Sequence, residues 1–252
     1  MLESLIYAYN LTSFQWALAI LAALIVGIAK AGLNALSIIN VTILAIVFGS
    51  KISTGILLPM LIVGDVLAVF YYKRAVHWPS LWRLMPYVML GILLGVWVGK
   101  DLNEAIFKRM MASIVLVIVA GMFYLDKKPL GNVSNKPWFS SSLGIATGFT
   151  SMVGNQASGF ATAYLMSMQL SKVHFIGTNA WLFLFVNLFK LPFHIFSWHT
   201  VNVASIGVNV VLLPVQIIGF YVGVALVKRI DEARYRQLIL WLTAFAALFV
   251  FF

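Results

Sequence analysis

The chain has 252 residues, of which 62% are hydrophobic and 10% are charged. Soluble domains average about 45–50% apolar and about 25% charged residues, so this composition excludes a water-soluble globule, a disordered chain and a nucleic-acid-binding module. The formal net charge of +10 is first a signal of membrane topology, because cationic residues accumulate in cytoplasmic loops. The chain has no cysteine, which excludes disulfides and thiolate metal sites.

The apolar stretches, taken in chain order, predict helices that span a membrane. The amino terminus lacks the basic segment of a cleavable signal peptide, so we expect the first apolar stretch to be structural. Six further segments are each near the roughly 20 residues that cross the hydrocarbon core. They cover residues 53–73, 79–99, 105–125, 173–196, 203–228 and 234–252. The sequence therefore predicts an all-α polytopic membrane protein in the lipid bilayer, with a single transmembrane domain over residues 1–252.

Two other stretches predict broken helices. Residues 14–48 and 138–169 are each too long for one perpendicular crossing, and glycine and amide residues interrupt both. Non-helical backbone at membrane depth is tolerated only where protein or a watery cavity satisfies its polar groups. Each stretch is predicted to be a re-entrant hairpin, with a kinked single crossing or two full crossings as alternatives. The glycines expected at the breaks are Gly27, Gly32, Gly148 and Gly154.

Loop charges favour the hairpins over single crossings. If both stretches return to the side where they start, most lysines and arginines collect on one face, whereas single crossings spread them more evenly. The positive-inside rule then places the loops 73–83, 126–136 and 228–236 in the cytoplasm. Both termini are predicted to lie outside the cytoplasm, and the protein in the inner or plasma membrane.

With both stretches as hairpins, each half of the chain, about residues 1–125 and 126–252, contains one hairpin and three crossings. Because three is an odd number of crossings, the second half is predicted to be inverted relative to the first. Five residue pairs at one offset, 122 positions, support an internal repeat. These pairs are Gly32 with Gly154, Asn34 with Gln156, Gly55 with Gly177, Asp65 with Asn187 and His77 with His199. Inverted repeats whose broken helices meet near the bilayer midplane are typical of secondary transporters.

A motif in the second half is specific to a known family. It contains Gly148-Phe149-Thr150-Ser151-Met152, Gly154-Asn155-Gln156-Ala157-Ser158-Gly159, Tyr164-Leu165, Lys172, Phe175-Ile176-Gly177-Thr178-Asn179-Ala180-Trp181, Asn187, Lys190 and Pro192. With Gly27, Lys30-Ala31-Gly32 and Gly64-Asp65 of the first half, it resembles the TauE/SafE family, also called the toluene-sulfonate uptake permease family. The resemblance covers essentially the whole chain. It implies transport, commonly export, of sulfite, sulfonates or related sulfur-containing organic anions.

Lys30 lies at the first break, far from any loop charge. An ammonium at the membrane centre is costly, so we expect it to face a cavity or a partner. Our hypothesis is that it supplies charge to an anionic substrate at the hairpin tip, where the amino termini of half-helices add partial positive charge. The alternative is a structural lysine that extends to the surface or pairs with Asp65.

Asp65 is the only acidic residue within a predicted span. It is either a proton-coupling site, because a desolvated carboxyl can exchange a proton near neutral pH, or a permanent counter-ion of Lys30 or Lys190. Its repeat partner Asn187 cannot titrate, which confines any proton role to one half.

Further polar residues are candidates for the substrate path. Lys190 and His194 are four apart and, with Asn187, form a polar stripe on one helix face; the alternative is that both cationic residues extend to the outer interface. Asn34, Asn155 and Gln156 flank the breaks and either contact substrate or satisfy freed backbone groups. Thr178 and Asn179 are candidates for substrate contact or for helix packing.

These features favour a secondary transporter that moves a small sulfur-containing anion by alternating access, with export and proton coupling as the leading version. A passive anion channel or an uptake permease of the same fold is the alternative. The sequence contains no phosphate-binding loop and no catalytic grouping within the spans, so neither ATP drive nor enzyme activity is expected. Four scattered histidines predict no metal site, and no cofactor is expected. A homodimer is one option for the assembly.

Overall fold

A computed structural model of the chain describes residues 9–72, 75–110, 113, 136–232, 234–235, 237–239 and 241. These residues form helices and short connections, and none of them is in a β-strand. The helices are α1 (Ser13–Lys30), α2 (Ser37–Phe48), α3 (Ser50–Tyr72), α4 (Trp78–Gly99), α5 (Pro137–Gly154), α6 (Ser158–Ser167), α7 (Lys172–Phe196) and α8 (Val203–Lys228), with a short 3-10 helix at Asn34–Leu36. Residues 104–110 are also helical. The all-α prediction is confirmed for this part of the chain.

Five of the described helices, α1, α3, α4, α7 and α8, are long and apolar enough to cross a membrane. Four of them begin and end within three residues of predicted spans, because continuous apolar length determined both. The predicted spans 105–125 and 234–252 lie largely outside the described residues. Large apolar side chains such as Trp97 and Phe70 are exposed on these helices, as expected for a multi-pass membrane protein.

The chain reverses direction at both predicted breaks. Gly32 has a φ of 130° between α1 and α2, and Asn155 has the left-handed φ of 55° between α5 and α6. Glycine and asparagine are the residues that adopt positive φ most readily. The rings of Tyr9 and Phe48 pack edge to face at 5.4 Å, so the chain enters and leaves the first hairpin at the same end of the molecule.

Gly27 and Gly148 are not at the breaks, and the prediction that they interrupt helices is wrong. Both lie inside helices, Gly27 in α1 and Gly148 in α5. A Cβ on Gly27 would lie 2.1 Å from the carbonyl oxygen of Gln216 in α8, and one on Gly148 would lie 1.9 Å from that of Val88 in α4. Small residues let the backbones of membrane helices approach closely. These glycines therefore allow α1 to pack closely against α8, and α5 against α4.

The connections gather at two opposite ends of the helix bundle. At the Lys172 end, the backbone N–H of His77 donates to Thr178 Oγ1 at 2.8 Å, and Lys172 Nζ donates to the carbonyl oxygen of Val227 at 2.6 Å. At the Lys51 end, Lys51 Nζ donates to the carbonyl oxygen of Lys100 at 3.0 Å. α3 and α7 pack against each other between these ends. α3 also contacts α1, α2, α5 and α8, and α7 also contacts α4, α5 and α6.

Candidate functional site

A cavity lies where the two helix breaks approach α3 and α7. Its volume is about 20 Å³, which is room for about one water molecule. The hairpins contribute Lys30, Asn34, Ser37, Ser151, Asn155, Ala157 and Ser158 to its lining. The central helices contribute Leu61, Phe183, Asn187 and Lys190. The cavity thus brings together five residues that the sequence singled out: Lys30, Asn34, Asn155, Asn187 and Lys190.

Lys30 forms a buried ion pair with Asp65. Its Nζ donates to Asp65 Oδ1 at 2.6 Å, and Asn187 Nδ2 donates to Asp65 Oδ2 at 2.6 Å. The Lys30 ammonium also lies 4.9 Å from the ring centroid of Phe183, within the range of a cation–π interaction. Both oxygens of the carboxylate therefore have donors, and the charge of Lys30 is compensated within the protein.

Lys190 has a different environment, although it lines the same cavity. Its side chain is fully buried, and no carboxylate of a described residue is within ion-pair distance of it. Nζ donates to the carbonyl oxygen of Ser151 and to Ser151 Oγ, both at 2.9 Å, and to Asn155 Oδ1. All three acceptors are neutral. The cavity therefore carries one excess positive charge when Lys190 is protonated. A buried charge of this kind is costly unless it is compensated.

Two helix amino termini lie at this cavity. α2 begins at Ser37 and α6 at Ser158, both of which line the cavity. Among the described residues no side chain caps either helix, although the N–H of Ser37 donates to the carbonyl oxygen of Asn34 in the preceding 3-10 turn. The first N–H groups of a helix have no partner within the helix, and with the helix dipole they favour an anion. Ser158 Oγ is buried without a hydrogen-bond partner in the part of the chain that the structure describes. The site is therefore rich in donors.

Five of the ten polar residues predicted for the site are outside the cavity lining: Asp65, which pairs with Lys30, and Gln156, Thr178, Asn179 and His194. Thr178 Oγ1 accepts the hydrogen bond from the N–H of His77 and so fixes α7 to the start of α4. His194 Nδ1 is 2.8 Å from Thr200 Oγ1, near the Lys51 end. Neither side chain lines the cavity, and His194 Nε2 is buried without a hydrogen-bond partner among the described residues.

Gln156 and Asn179 are also outside the cavity lining. Both are buried, and Gln156 Oε1 and both amide atoms of Asn179 have no hydrogen-bond partner among the described residues. Gly154 is the last residue of α5 and, with Gly32, lies at a break.

Three serines line the cavity that were not predicted as site residues from the sequence. Ser37 follows Asn34 by three positions, Ser158 follows Gln156 by two, and Ser151 precedes Asn155 by four. Serine beside a helix terminus is most often a capping residue, so sequence position by itself gave no reason to assign these hydroxyls to a ligand site. The sequence feature that could have identified them is their closeness to the two breaks, because residues near both breaks line the same cavity.

Comparison with known proteins identifies the same family as the second-half motif, which contains several of the residues that line the cavity. Residues 19–250 match the family described as "Sulfite exporter TauE/SafE". The chain belongs to the TauE/SafE family. A TauE/SafE chain is a membrane transporter, and the resemblance inferred from the second-half motif is thereby confirmed. Ser151, Asn155, Ser158, Asn187 and Lys190, which all belong to that motif, line the cavity.

A Haemophilus influenzae protein, described as "Probable membrane transporter protein", is 34% identical over 75 residues. The aligned segment covers 29% of this chain and 29% of that relative, so it spans less than a third of either protein. No solved structure matches the chain.

Proposed function

We propose that this TauE/SafE protein is a secondary transporter of a small sulfur-containing anion, such as sulfite or a sulfonate, and that the anion binds in the cavity between the two helix breaks. The observation that carries the proposal is the difference between the two buried lysines. Asp65 compensates Lys30, whereas the acceptors of Lys190 among the described residues are all neutral. A bound monoanion would neutralise the remaining charge, while the two helix amino termini provide further attraction.

The packing of the helices supports an inverted repeat over about residues 1–125 and 126–252 of a single domain. The pair α1 and α8 and the pair α5 and α4 correspond under the 122-residue offset, and both pairs pack closely. Asp65 and Asn187 also correspond, and their side chains form a direct hydrogen bond, as residues at a two-fold axis would. Alternating access by rocking of the halves would open this small cavity to each side in turn.

We place the Lys172 end in the cytoplasm and both termini outside, across the cell membrane, because the loops of that end hold most of the cations. Single cysteines can test this placement cleanly, since the chain has none. At the exposed positions Ser171 and Asp101, we expect an impermeant thiol reagent added to intact cells to label only the Asp101→Cys variant. Labelling of the Ser171→Cys variant from outside would contradict the topology.

Proton coupling would use Asp65. Protonation of Asp65 removes the charge that compensates Lys30, so the cavity would gain a second uncompensated ammonium. A proton and an anion would then bind together, and the affinity for the anion would increase as the pH falls. Under this proposal an outward proton movement would accompany export.

Flux into or out of proteoliposomes tests the function. With purified protein we expect sulfite or methanesulfonate flux that saturates with concentration and responds to an imposed pH gradient. An ohmic anion current without saturation would favour the passive channel of the same fold. If no sulfur-containing anion moves faster than in protein-free liposomes, the proposal is wrong. We propose no catalytic activity and no cofactor.

A further inference from the structure

On the basis of the proposed anion site, we propose that the hydroxyls of Ser158 and Ser151 donate hydrogen bonds to the substrate oxygens. They would thereby set a preference for anions with three sulfur-bound oxygens over carboxylates of equal charge. The two serines lie on either side of the second break, at the start of α6 and near the end of α5. Both line the cavity with Lys190.

Ser158 is the clearer of the two cases. It is only 4% exposed, and its Oγ has no hydrogen-bond partner among the described residues. A buried hydroxyl without a partner is destabilising, because its hydration is lost and nothing replaces it. A ligand bound in the cavity would supply the missing acceptor, and hydrogen bonding to that ligand would explain why this destabilising serine is present.

Ser151 has a hydroxyl proton to spare. Its Oγ accepts a hydrogen bond from Lys190 Nζ and donates to no described acceptor. Lys190 already uses its three protons on the Ser151 carbonyl oxygen, Ser151 Oγ and Asn155 Oδ1. The ammonium therefore contributes charge and polarises the Ser151 hydroxyl, while the spare hydrogen-bond donors are the serine hydroxyls and the uncapped N–H groups of α6.

This set of donors fits an acceptor-only oxyanion. At the second break, the carbonyl oxygen of Ser151 and Asn155 Oδ1, which could accept from a protonated ligand, are already engaged by Lys190. At the second break, two hydroxyls and the amino terminus of α6 provide three donor groups, and a sulfonate has three oxygens that can accept; Asn34 and Ser37 line the cavity from the first break. A carboxylate is planar and has two oxygens, so three donor groups that each point at a separate oxygen match a sulfonate better, and a site built on such hydrogen bonds discriminates against the ligand that fits them less well.

The test compares methanesulfonate with acetate, which are both monoanions of one methyl group. In the purified protein we expect Ser158→Ala to weaken methanesulfonate binding about tenfold, as for loss of a hydrogen bond to a charged group, and acetate binding by much less. We also expect the melting temperature without ligand to increase, because the variant removes a buried hydroxyl that has no hydrogen-bond partner among the residues that the structure describes. A hydroxyl with a structural role would give the opposite change.

Ser167→Ala is the matched control. Ser167 lies at the other end of α6, is buried, and donates to the carbonyl oxygen of Tyr164 at 2.6 Å, so its loss should leave both affinities unchanged. Ser158→Cys, which is of similar size and a weaker donor, should also reduce the preference for methanesulfonate.

The failure of this inference can be distinguished from failure of the proposed function. If Lys190→Met loses methanesulfonate but Ser158→Ala and Ser158→Cys bind it as the parent does, the serine proposal is wrong and the anion site stands. An equal loss of methanesulfonate and acetate in both Ser158 variants also overturns it. If the parent binds neither sulfite nor methanesulfonate, the proposed function itself fails.

Discussion

Replacing Lys190 with methionine is expected to reduce anion binding by on the order of 100-fold or more. Two opposite charges about 4 Å apart attract by about 4 kcal/mol at an effective dielectric constant of 20, which corresponds to roughly a thousandfold in affinity. Methionine has nearly the length of the lysine stem and removes only the ammonium. Binding of sulfite by titration calorimetry, measured on the purified variant, checks this expectation.

The variant should still fold. It leaves the carbonyl oxygen of Ser151 and Asn155 Oδ1 without their donor, at about 1–3 kcal/mol for a group left unsatisfied. It also removes a buried ammonium that has no carboxylate partner in the described part of the chain. Lys172→Met is the control, because Lys172 donates to the carbonyl oxygens of Val227 and Ile230 outside the cavity. Full sulfite affinity in the Lys190→Met variant would show that another group carries the anion charge.

Breaking the ion pair between Lys30 and Asp65 is expected to destabilise the protein strongly. Removal of one partner of a buried pair costs about 3–5 kcal/mol, because an uncompensated charge is left in a low-dielectric environment. Lys30→Met and Asp65→Asn should each lower the free energy of unfolding by about this amount, whereas the double variant should recover most of the loss. Equilibrium unfolding of all four proteins in the same detergent gives the coupling energy directly.

The same four proteins separate the two interpretations of Lys30. If Lys30 is a counter-ion of Asp65, the double variant should bind sulfite within about tenfold of the parent. If Lys30 contacts the anion, the double variant should lose binding although its stability is restored. Single variants as stable as the parent would mean that the pair contributes nothing to the fold.

Much of this fold could be predicted from the sequence because membrane spans depend on apolar length. The limits of α3, α4, α7 and α8 followed from where charges and turns occur. The two breaks were also predicted, since Gly32 and Asn155 are residue types that adopt positive φ. Gly27 and Gly148 were assigned incorrectly, because a glycine that breaks a helix and a glycine that lets two helices touch have the same sequence signature.

The site was predictable in composition but not in pairing. Burial cost identified Lys30, Asp65 and Lys190 as residues that need partners, and all three do have partners in the interior. Which lysine pairs with the Asp65 carboxylate depends on how α1, α3 and α7 are rotated relative to each other. These helices are far apart in the sequence, so their relative rotation cannot be predicted from it. The roles of Ser151 and Ser158 depend on the same rotations.

The central claim is that the transported anion rests beside Lys190 between the two breaks. Selenite has the geometry of sulfite, and selenium gives an anomalous X-ray signal that locates it without ambiguity. In crystals of the protein grown with selenite, we predict an anomalous peak in the cavity within hydrogen-bond reach of Ser151 and Ser158, and no such peak in crystals of the Lys190→Met variant. A well-occupied selenite elsewhere in the bundle, with this cavity empty, would contradict the account.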